Sequence, residues 1–284
     1  MCFDIIKSTE QKIYFVEVDM KLRDKFWLWG QSPDAHWEND NTYKLPAHSR
    51  MTAVEGCYYF GIHNICRVKM MNHPQPPYDQ ESEAMRPCKK VVWSLLGAGG
   101  EPVTDWGDLD EVVRQAKMYD NVVGGVFDDF FLPERISAFT PEKLLEVKRR
   151  MSEGAGRELD MWVVCYENKL DTVENIADYL NAFDVISFWT WCGSELFGAE
   201  RNFDRIRALA PGKQIMAGCY MWNYGEQKPL TEQQMKFQLE LYLRLIKEGK
   251  IDGIVLCSNC IADLKIEAVE YMRQFLIEHG DDEI

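Results

Sequence analysis

The sequence is short of basic side chains. Its 284 residues carry 32 Lys and Arg against 46 Asp and Glu, which gives a formal net charge of −14, and the sequence pI is about 4.9. Nucleic acids and anionic membrane surfaces are bound through basic patches. The charge balance therefore argues against both partners and favours a neutral small-molecule or oligosaccharide substrate.

The sequence also lacks a continuous apolar run of the ~20 residues that a membrane-spanning helix needs. Its first residues, MCFDIIKSTEQ, do not have the basic and then apolar order of a secretory signal. If the chain is complete, these features predict a cytoplasmic protein, whereas an exported protein whose signal peptide had been removed would have the same sequence. Nine cysteines, mostly inside apolar runs, predict buried free thiols in a reducing compartment.

No glycine- and serine-rich linker or low-complexity tract divides the chain. Short apolar runs rich in β-branched and aromatic residues alternate with longer amphipathic segments, which is typical of βα units on a parallel sheet. Eight runs are predicted strands: residues 25–30, 64–71, 90–97, 121–129, 160–167, 184–191, 214–222 and 251–259.

Helix candidates with apolar residues three and four positions apart lie between these runs. They are residues 49–62, 79–86, 109–119, 141–153, 172–183, 203–210, 231–249 and 265–280. Thr140 and Thr231 are predicted N-caps because acidic residues follow each of them. Eight strand and helix pairs predict a single α/β domain over residues 25–284, a (β/α)8 TIM barrel, with residues 1–24 as an N-terminal strand or hairpin packed on it.

A doubly wound open sheet is the competing architecture, and it would carry a glycine-rich phosphate turn after its first strand. That place holds WGQSPDAHWEND, without GxGxxG. The absence of a phosphate loop also leaves no support for a nucleotide, and we predict no cofactor.

Aromatic residues collect at the predicted C-terminal strand ends, where TIM barrels build their active sites. Eight of the nine tryptophans belong to these ends or to the loops that follow. Each ring taken alone is more easily explained by burial, but their common position favours a ligand with flat apolar faces, such as a sugar. Asn side chains would serve its hydroxyl groups. The predicted substrate-binding residues are Trp29, Trp93, Tyr166, Trp189, Trp191, Tyr220, Trp222, Asn223 and Asn259.

Carboxylates collect at the same end, most plainly in the stretch GGVFDDFF, where Asp128 and Asp129 close the fourth strand. Glu167 closes the fifth, and neighbouring strands lie ~4.8 Å apart. Glycosidic cleavage needs a pair of carboxyl groups, one of them kept protonated. We therefore predict Asp128, Asp129 and Glu167 as catalytic residues. A helix cap or an ion pair with Lys169 explains Glu167 equally well, whereas strand alternation sends two adjacent Asp side chains to different environments.

Two other motifs carry little chemistry. Cys257 and Cys260 have CxxC spacing, but no second CxxC or His pair accompanies them, so two packed thiols are expected rather than a zinc site. His36 and His73 lie in predicted rim loops and could contact a substrate. No GxSxG turn or Ser, His and Asp order supports an esterase or peptidase.

The VFDDFF stretch on the fourth predicted strand resembles the Asp-Asp strand end of β-N-acetylglucosaminidases that use substrate-assisted catalysis, in a glycoside-hydrolase-like barrel. The resemblance covers about six residues. It implies that Asp128 orients the substrate's acetamido group and that Asp129 is the general acid and base. The Asn-Glu and Glu strand ends of the large retaining clan are absent, as is the DxxDxDxE strand of chitinase-like barrels.

These patterns predict a glycosidase acting on a neutral carbohydrate. Two alternatives stay open: a barrel that binds glycans without cleaving them, and a metal-dependent lyase or hydrolase that would use Asp128, Asp129 and Glu167 as oxygen ligands for Mg²⁺ or Ca²⁺. The sequence predicts neither the identity of the sugar nor the oligomeric state.

Overall fold

The computed structural model describes residues 20–103 and 105–284. Eight parallel strands form a closed barrel, as predicted. In chain order they are β1 Phe26–Gly30, β2 Asn64–Arg67, β3 Lys90–Leu96, β4 Val122–Phe127, β5 Asp160–Tyr166, β6 Val185–Trp189, β7 Gln214–Tyr220 and β8 Gly253–Cys257. β1 closes the barrel by pairing with β8, Phe26 lying beside Ile254. A two-stranded hairpin of Trp222–Asn223 and Lys228–Pro229 follows β7.

Helices surround the barrel, and all eight predicted ones are found. Over the described residues the helices are α1 Ala35–Glu38, α2 Ala53–Phe60, α3 Asp79–Ala84, α4 Leu109–Met118, α5 Pro133–Ala138, α6 Pro141–Ala155, α7 Ile176–Ala182, α8 Ala199–Leu209, α9 Glu232–Lys247, α10 Asn259–Ala262 and α11 Glu267–His279, with 3-10 turns at Leu22–Lys25, Glu167–Lys169 and Gly193–Gly198. The Thr140 and Thr231 side chains accept the N–H groups of Lys143 and Gln234, which confirms both N-caps.

The predicted N-terminal strand or hairpin lies mostly outside the described residues. Of that segment, the structure places a 3-10 turn at Leu22–Lys25, directly before β1. Among the helices of the described ranges, none combines the length and the apolar character that crossing a bilayer requires.

Most of the core is one large cluster that fills the barrel and the space between strands and helices, and a small second cluster consists of Ala35, Met70 and Cys260. Glycines set the spacing of β4 against its neighbours. A Cβ atom on Gly124 would lie 2.2 Å from the Asp160 carbonyl oxygen of β5, and one on Gly125 would lie 2.5 Å from Leu95 Cδ1 of β3. At Gly124 the neighbour is backbone, so only glycine permits this close approach. β4 ends at the barrel mouth, where the two Asp residues that follow it border the cavity.

Candidate active site

A cavity of about 340 Å³ opens at the C-terminal ends of the barrel strands. Five strands contribute residues at or next to their C-terminal ends to its wall, and Asp128 and Asp129 come directly after β4. These strand residues are Trp29, one before the end of β1, and the last residues of four others: Tyr166 of β5, Trp189 of β6, Tyr220 of β7 and Cys257 of β8. The volume falls within the range of small-molecule sites. TIM-barrel enzymes place their active sites at this end.

Asp128 lies at the inner edge of the cavity and is 5% exposed. Its N–H donates to the Leu96 carbonyl at 3.0 Å, so it continues the pairing of β4 with β3. Burial, joined by repulsion from Asp129, raises the pKa of the Asp128 carboxyl well above its usual range, although Arg135 and the Asp129 N–H oppose the shift. Asp128 is therefore a carboxyl group that retains its proton more strongly than an exposed Asp.

Asp129 stands where the strand conformation ends. Its φ of +40° is in the left-handed region, which Asp tolerates better than most residues. Its N–H donates to Asp128 Oδ1 at 2.8 Å, and its own Oδ2 accepts the Gly99 N–H at 2.6 Å. The alternation expected from a strand does not separate the pair completely, because β4 ends at Phe127: Asp128 is buried, Asp129 is half-buried, and both border the cavity.

Arg135, in α5, fixes the backbone on which the pair stands. Its guanidinium is fully buried and donates to the carbonyls of Gly97 at 2.7 Å and Ala98 at 2.6 Å. It also donates to the carbonyl of Asp128. One side chain thus ties the end of β4 to the loop after β3. Nothing in the sequence pattern singled out this residue.

Aromatic rings make most of the remaining wall. Trp189 packs against Tyr220 with ring centroids 4.7 Å apart, and Trp191 meets Tyr166 edge to face at 5.7 Å. Burial raises the pKa of the Tyr166 and Tyr220 hydroxyls well above the usual range, so both stay protonated donors. The indole and phenol rings of the wall are Trp29, Trp189, Trp191, Tyr43, Tyr166, Tyr220 and Tyr224.

The structure places Glu167 outside the cavity. Its carboxylate accepts the Trp191 N–H at 3.1 and 3.2 Å, a capping bond to the chain that leaves β6. Burial raises the pKa of Glu167 as well. A side chain that serves the neighbouring backbone does not face the Asp pair across a ligand.

Four of the predicted substrate-binding residues are also held away from the cavity. Trp93 is fully buried and stacks on Tyr78 at 4.3 Å. Trp222 donates its indole N–H to the Tyr43 carbonyl at 2.9 Å. Asn223 accepts the Gly193 N–H at 3.0 Å, and Asn259 is fully buried against backbone. Trp93 lies in the middle of β3, Asn259 begins α10, and Trp222 and Asn223 belong to the hairpin after β7, and none of the four side chains borders the cavity.

Other cavity residues were missed because they come from long loops or carry no motif: Gln31 follows β1 directly, Tyr43 lies between β1 and α2, and Lys169 ends the 3-10 turn after β5. His36, which the sequence offered as a possible substrate contact, also lines the cavity. His36 is almost fully buried, and burial lowers its pKa to about 3, so its imidazole is neutral. Tyr224, in the hairpin after β7, lies against it.

The described residues contain no cluster of three or more His, Cys, Asp or Glu side chains arranged to hold a metal ion, so Asp128, Asp129 and Glu167 do not converge as a ligand set. Cys257 and Cys260 are free, buried thiols with separate partners, as expected from the sequence. Cys257 points to the Tyr224 hydroxyl and Cys260 to the Ser32 carbonyl.

Comparison of the sequence with models of known families, and with characterised proteins, finds no match. Solved structures do resemble the fold. A glycoside hydrolase family 18 N-acetylglucosaminidase from Paenibacillus barengoltzii is 12% identical, with a TM-score of 0.51 over 88% of this chain and 98% of that one. A candidate α-L-fucosidase from Bacteroides thetaiotaomicron is 12% identical, with a TM-score of 0.55 over 95% and 99%.

A probable 2-pyrone-4,6-dicarboxylic acid hydrolase from Acinetobacter baumannii is 9% identical, with a TM-score of 0.52 over 89% and 91%. Similarity at this level shows a shared (β/α)8 barrel. Because these structures carry different activities, the site itself must decide the function.

Proposed function

We propose that the protein is a glycoside hydrolase acting on a neutral carbohydrate, with Asp128 and Asp129 as its reacting carboxyl groups. The observation that carries this proposal is the pairing of a buried Asp128, whose pKa is raised well above its usual range, with a half-buried Asp129 at the mouth of an aromatic cavity. Indole and phenol faces suit the C–H faces of a sugar ring. A protonated and a hydrogen-bonded carboxyl group suit acid-assisted cleavage at its anomeric centre.

The local resemblance of VFDDFF assigned the acid to Asp129, but burial favours Asp128. A general acid must hold a proton before it can donate it, and the raised pKa of Asp128 favours the form of this carboxyl that holds one. We assign proton donation to the leaving oxygen to Asp128. Asp129, whose Oδ2 is held by the Gly99 N–H, supports the positive charge that develops at the anomeric carbon, directly or through a substrate acetamido group. Glu167 has no part in this assignment.

The test is hydrolysis of a panel of aryl glycosides by the wild type and by Asp128→Asn and Asp129→Asn. Loss of general acid catalysis costs typically 10²–10⁴-fold. For Asp128→Asn that loss should appear with 4-nitrophenyl glycosides and shrink with 2,4-dinitrophenyl glycosides, whose leaving group needs no proton. Asp129→Asn should be impaired on both. Asp110→Asn, at a surface carboxylate that is 97% exposed, is the matched control.

Full rates in both Asn variants on every glycoside that the wild type cleaves would refute the assignment. Sugar binding on a glycan array without turnover by the wild type would instead favour a glycan-binding barrel. If Asp129→Asn alone showed leaving-group dependence, the acid would be Asp129.

A further inference from the structure

A second polar group borders the cavity on the side away from the Asp pair. It consists of Gln31, just after β1, and His36, in α1, both among the cavity-lining residues. β1 and β4 are separated by two intervening strands on one side of the closed barrel and by four on the other. A ligand that touches Asp128 and Asp129 therefore presents a different edge to Gln31 and His36.

The Gln31 carboxamide lacks adequate partners within the protein. The residue is 3% exposed, its Oε1 is buried with no hydrogen bond among the described residues, and its Nε2 donates only to the thioether of Met70 at 3.1 Å. A thioether is a weak acceptor. A buried amide oxygen without a donor costs free energy that a core Met or Leu would avoid. Because Gln31 borders the cavity, a ligand bound there is placed to complete this carboxamide.

The backbone of Gln31 is, by contrast, held firmly. The fully buried Asn259 accepts the Gln31 N–H at 2.8 Å and donates to the Gln31 carbonyl at 3.0 Å, as a neighbouring strand would. Asn259 also donates to the Met51 carbonyl at 2.7 Å. Asn259 is thus a positioning residue, and the carboxamide that it positions is free to bond.

His36, too, has one polar atom with a partner within the protein. Its Nδ1 lies 3.0 Å from the Tyr224 hydroxyl. The Cys257 thiol lies 3.9 Å from the same hydroxyl oxygen, which leaves the Tyr224 O–H able to donate to Nδ1. When it does so, the proton of the neutral imidazole is on Nε2, the other ring nitrogen, and His36 can offer this donor to a ligand.

We propose that Gln31 and His36 together bind adjacent hydroxyl groups of a neutral sugar and so determine substrate specificity. This inference rests on the proposed function. A carboxamide and a neutral imidazole offer donors and an acceptor without charge, which matches a pair of hydroxyls and gives a carboxylate no compensating cation. The nearest cationic lining residue, Lys169, belongs to the turn after β5 and would be the recognition group for an acidic sugar.

The test uses Gln31→Met, which keeps the shape of the side chain and removes its hydrogen bonds. Gln115→Met is the matched control, because Gln115 is a fully buried glutamine in α4 that also has an unpartnered Oε1 but lies outside the cavity. Binding is measured by saturation-transfer NMR with glucose, galactose, mannose, N-acetylglucosamine and glucuronate, followed by titration of the tightest binder.

We expect Gln31→Met to weaken binding of the tightest neutral sugar about 10- to 100-fold, since a sugar hydroxyl that is buried without its hydrogen-bond partner pays the cost of its desolvation. Its Tm should stay equal to or exceed that of the wild type, because an unpartnered buried oxygen is removed. Gln115→Met should keep full affinity. Removal of single hydroxyl groups from the sugar should weaken its binding to the wild type. For the hydroxyl group that Gln31 contacts, the deoxy sugar and the parent sugar should bind to Gln31→Met with equal affinity, because the contact is already lost.

Unchanged sugar affinity in Gln31→Met, or a lowered Tm with unchanged affinity, would overturn the inference, since Gln31 would then be structural. Tighter binding of glucuronate than of glucose would also overturn it and assign recognition to Lys169. Hydrolysis of a glycoside that Gln31→Met leaves unaltered refutes this inference alone. A wild type that neither binds nor cleaves any of these sugars refutes the proposed function with it.

Discussion

Asp128 is buried when the protein folds, and its ionisation should make the unfolding free energy depend on pH in one direction. Its folded-state pKa is raised, so its contribution is fully present below the unfolded pKa of ~3.9 and is lost as the pH rises. Asp128→Asn does not titrate. The unfolding free energy of the variant relative to the wild type should therefore increase between pH 4 and pH 7, by up to about 1.4 kcal/mol per pH unit, and its relative Tm should rise with it.

Thermal melts of the wild type and Asp128→Asn at four pH values across this range measure the effect. Asp110→Asn, at a surface position that is 97% exposed, should show a Tm difference that hardly changes with pH. A constant difference for Asp128→Asn would mean that the carboxyl ionises as readily in the folded protein as in the unfolded chain.

Glu167 provides the opposite case, a carboxylate whose role is a cap. Glu167→Gln keeps an acceptor for the Trp191 N–H, so its glycosidase rate should stay within about threefold of the wild type, well below the 10²-fold that marks loss of an acid or base. Glu167→Leu leaves that N–H without its partner and should lower the unfolding free energy by about 1–2 kcal/mol. Rates and chemical denaturation of both variants provide the check.

A large loss of rate in Glu167→Gln at unchanged stability would show that Glu167 takes part in catalysis, as its position at the end of the fifth predicted strand, beside the Asp pair of the fourth, suggested.

The Asp pair could be predicted from sequence because two charged residues at the end of an apolar run are conspicuous. The bond between the Glu167 carboxylate and the Trp191 N–H could not be predicted, because it depends on the direction that the Glu167 side chain takes after β5. Gln31 has the same difficulty: one Gln after a strand is unremarkable until its partners are known.

At the scale of elements, β7 determines where the Trp189 indole of β6 can lie. A Cβ atom on Gly218 would lie 2.0 Å from Trp189 Cδ2, so the ring occupies the space that any other residue would fill. Gly218→Ala should displace the indole and weaken sugar binding at least tenfold, and it should lower stability by about 1–3 kcal/mol as overpacking does. Tryptophan fluorescence and sugar titration measure both effects.

Gly198→Ala is the control for this change. A Cβ atom there meets nothing within 4 Å, and the residue has a φ of −96° that alanine adopts freely. Normal binding in Gly218→Ala would show that the position of the Trp189 ring is not critical for the ligand.

All eight strands and the longer helices could be predicted because barrel strands are short apolar runs and surface helices repeat their apolar face. Three of the four described helices with six or fewer residues, α1, α5 and α10, were not predicted, because so short a segment shows little periodicity. Two of them matter for the site, since α5 carries Arg135 and α1 carries His36. Local sequence rules thus predicted the frame well and the loops that complete the cavity poorly.

At the scale of the whole molecule, the two ends of the barrel have different roles: contacts at one end join the chain termini of the barrel, and the other end carries the candidate active site. At the end opposite the cavity, Arg23 lies just before β1 and donates to both oxygens of Asp281 at 3.0 Å, and to the Gly61 carbonyl. The N–H of Leu22 donates to the Asp282 carbonyl at 2.8 Å. These contacts join the start of the barrel to the segment after α11. At the cavity end, Arg135 joins the backbone after β3 to the backbone of the Asp pair through its hydrogen bonds to three carbonyls.

Substituting these two arginines should therefore separate the two ends. Arg23→Met removes a partly exposed ion pair and should cost about 1–2 kcal/mol of unfolding free energy while kcat/KM stays unchanged. Arg135→Met leaves three backbone carbonyls without their donor. This change should cost about 3 kcal/mol or more of unfolding free energy, and it should lower kcat/KM as the backbone of the Asp pair loses its support.

If Arg135→Met does not fold, Arg135→Lys, which keeps the charge but loses the planar guanidinium, should show a smaller loss of rate. An Arg135→Lys enzyme with full kcat/KM, or an Arg23→Met enzyme that loses it, would mean that the two ends are not independent, and the barrel would then have to transmit strain along its strands.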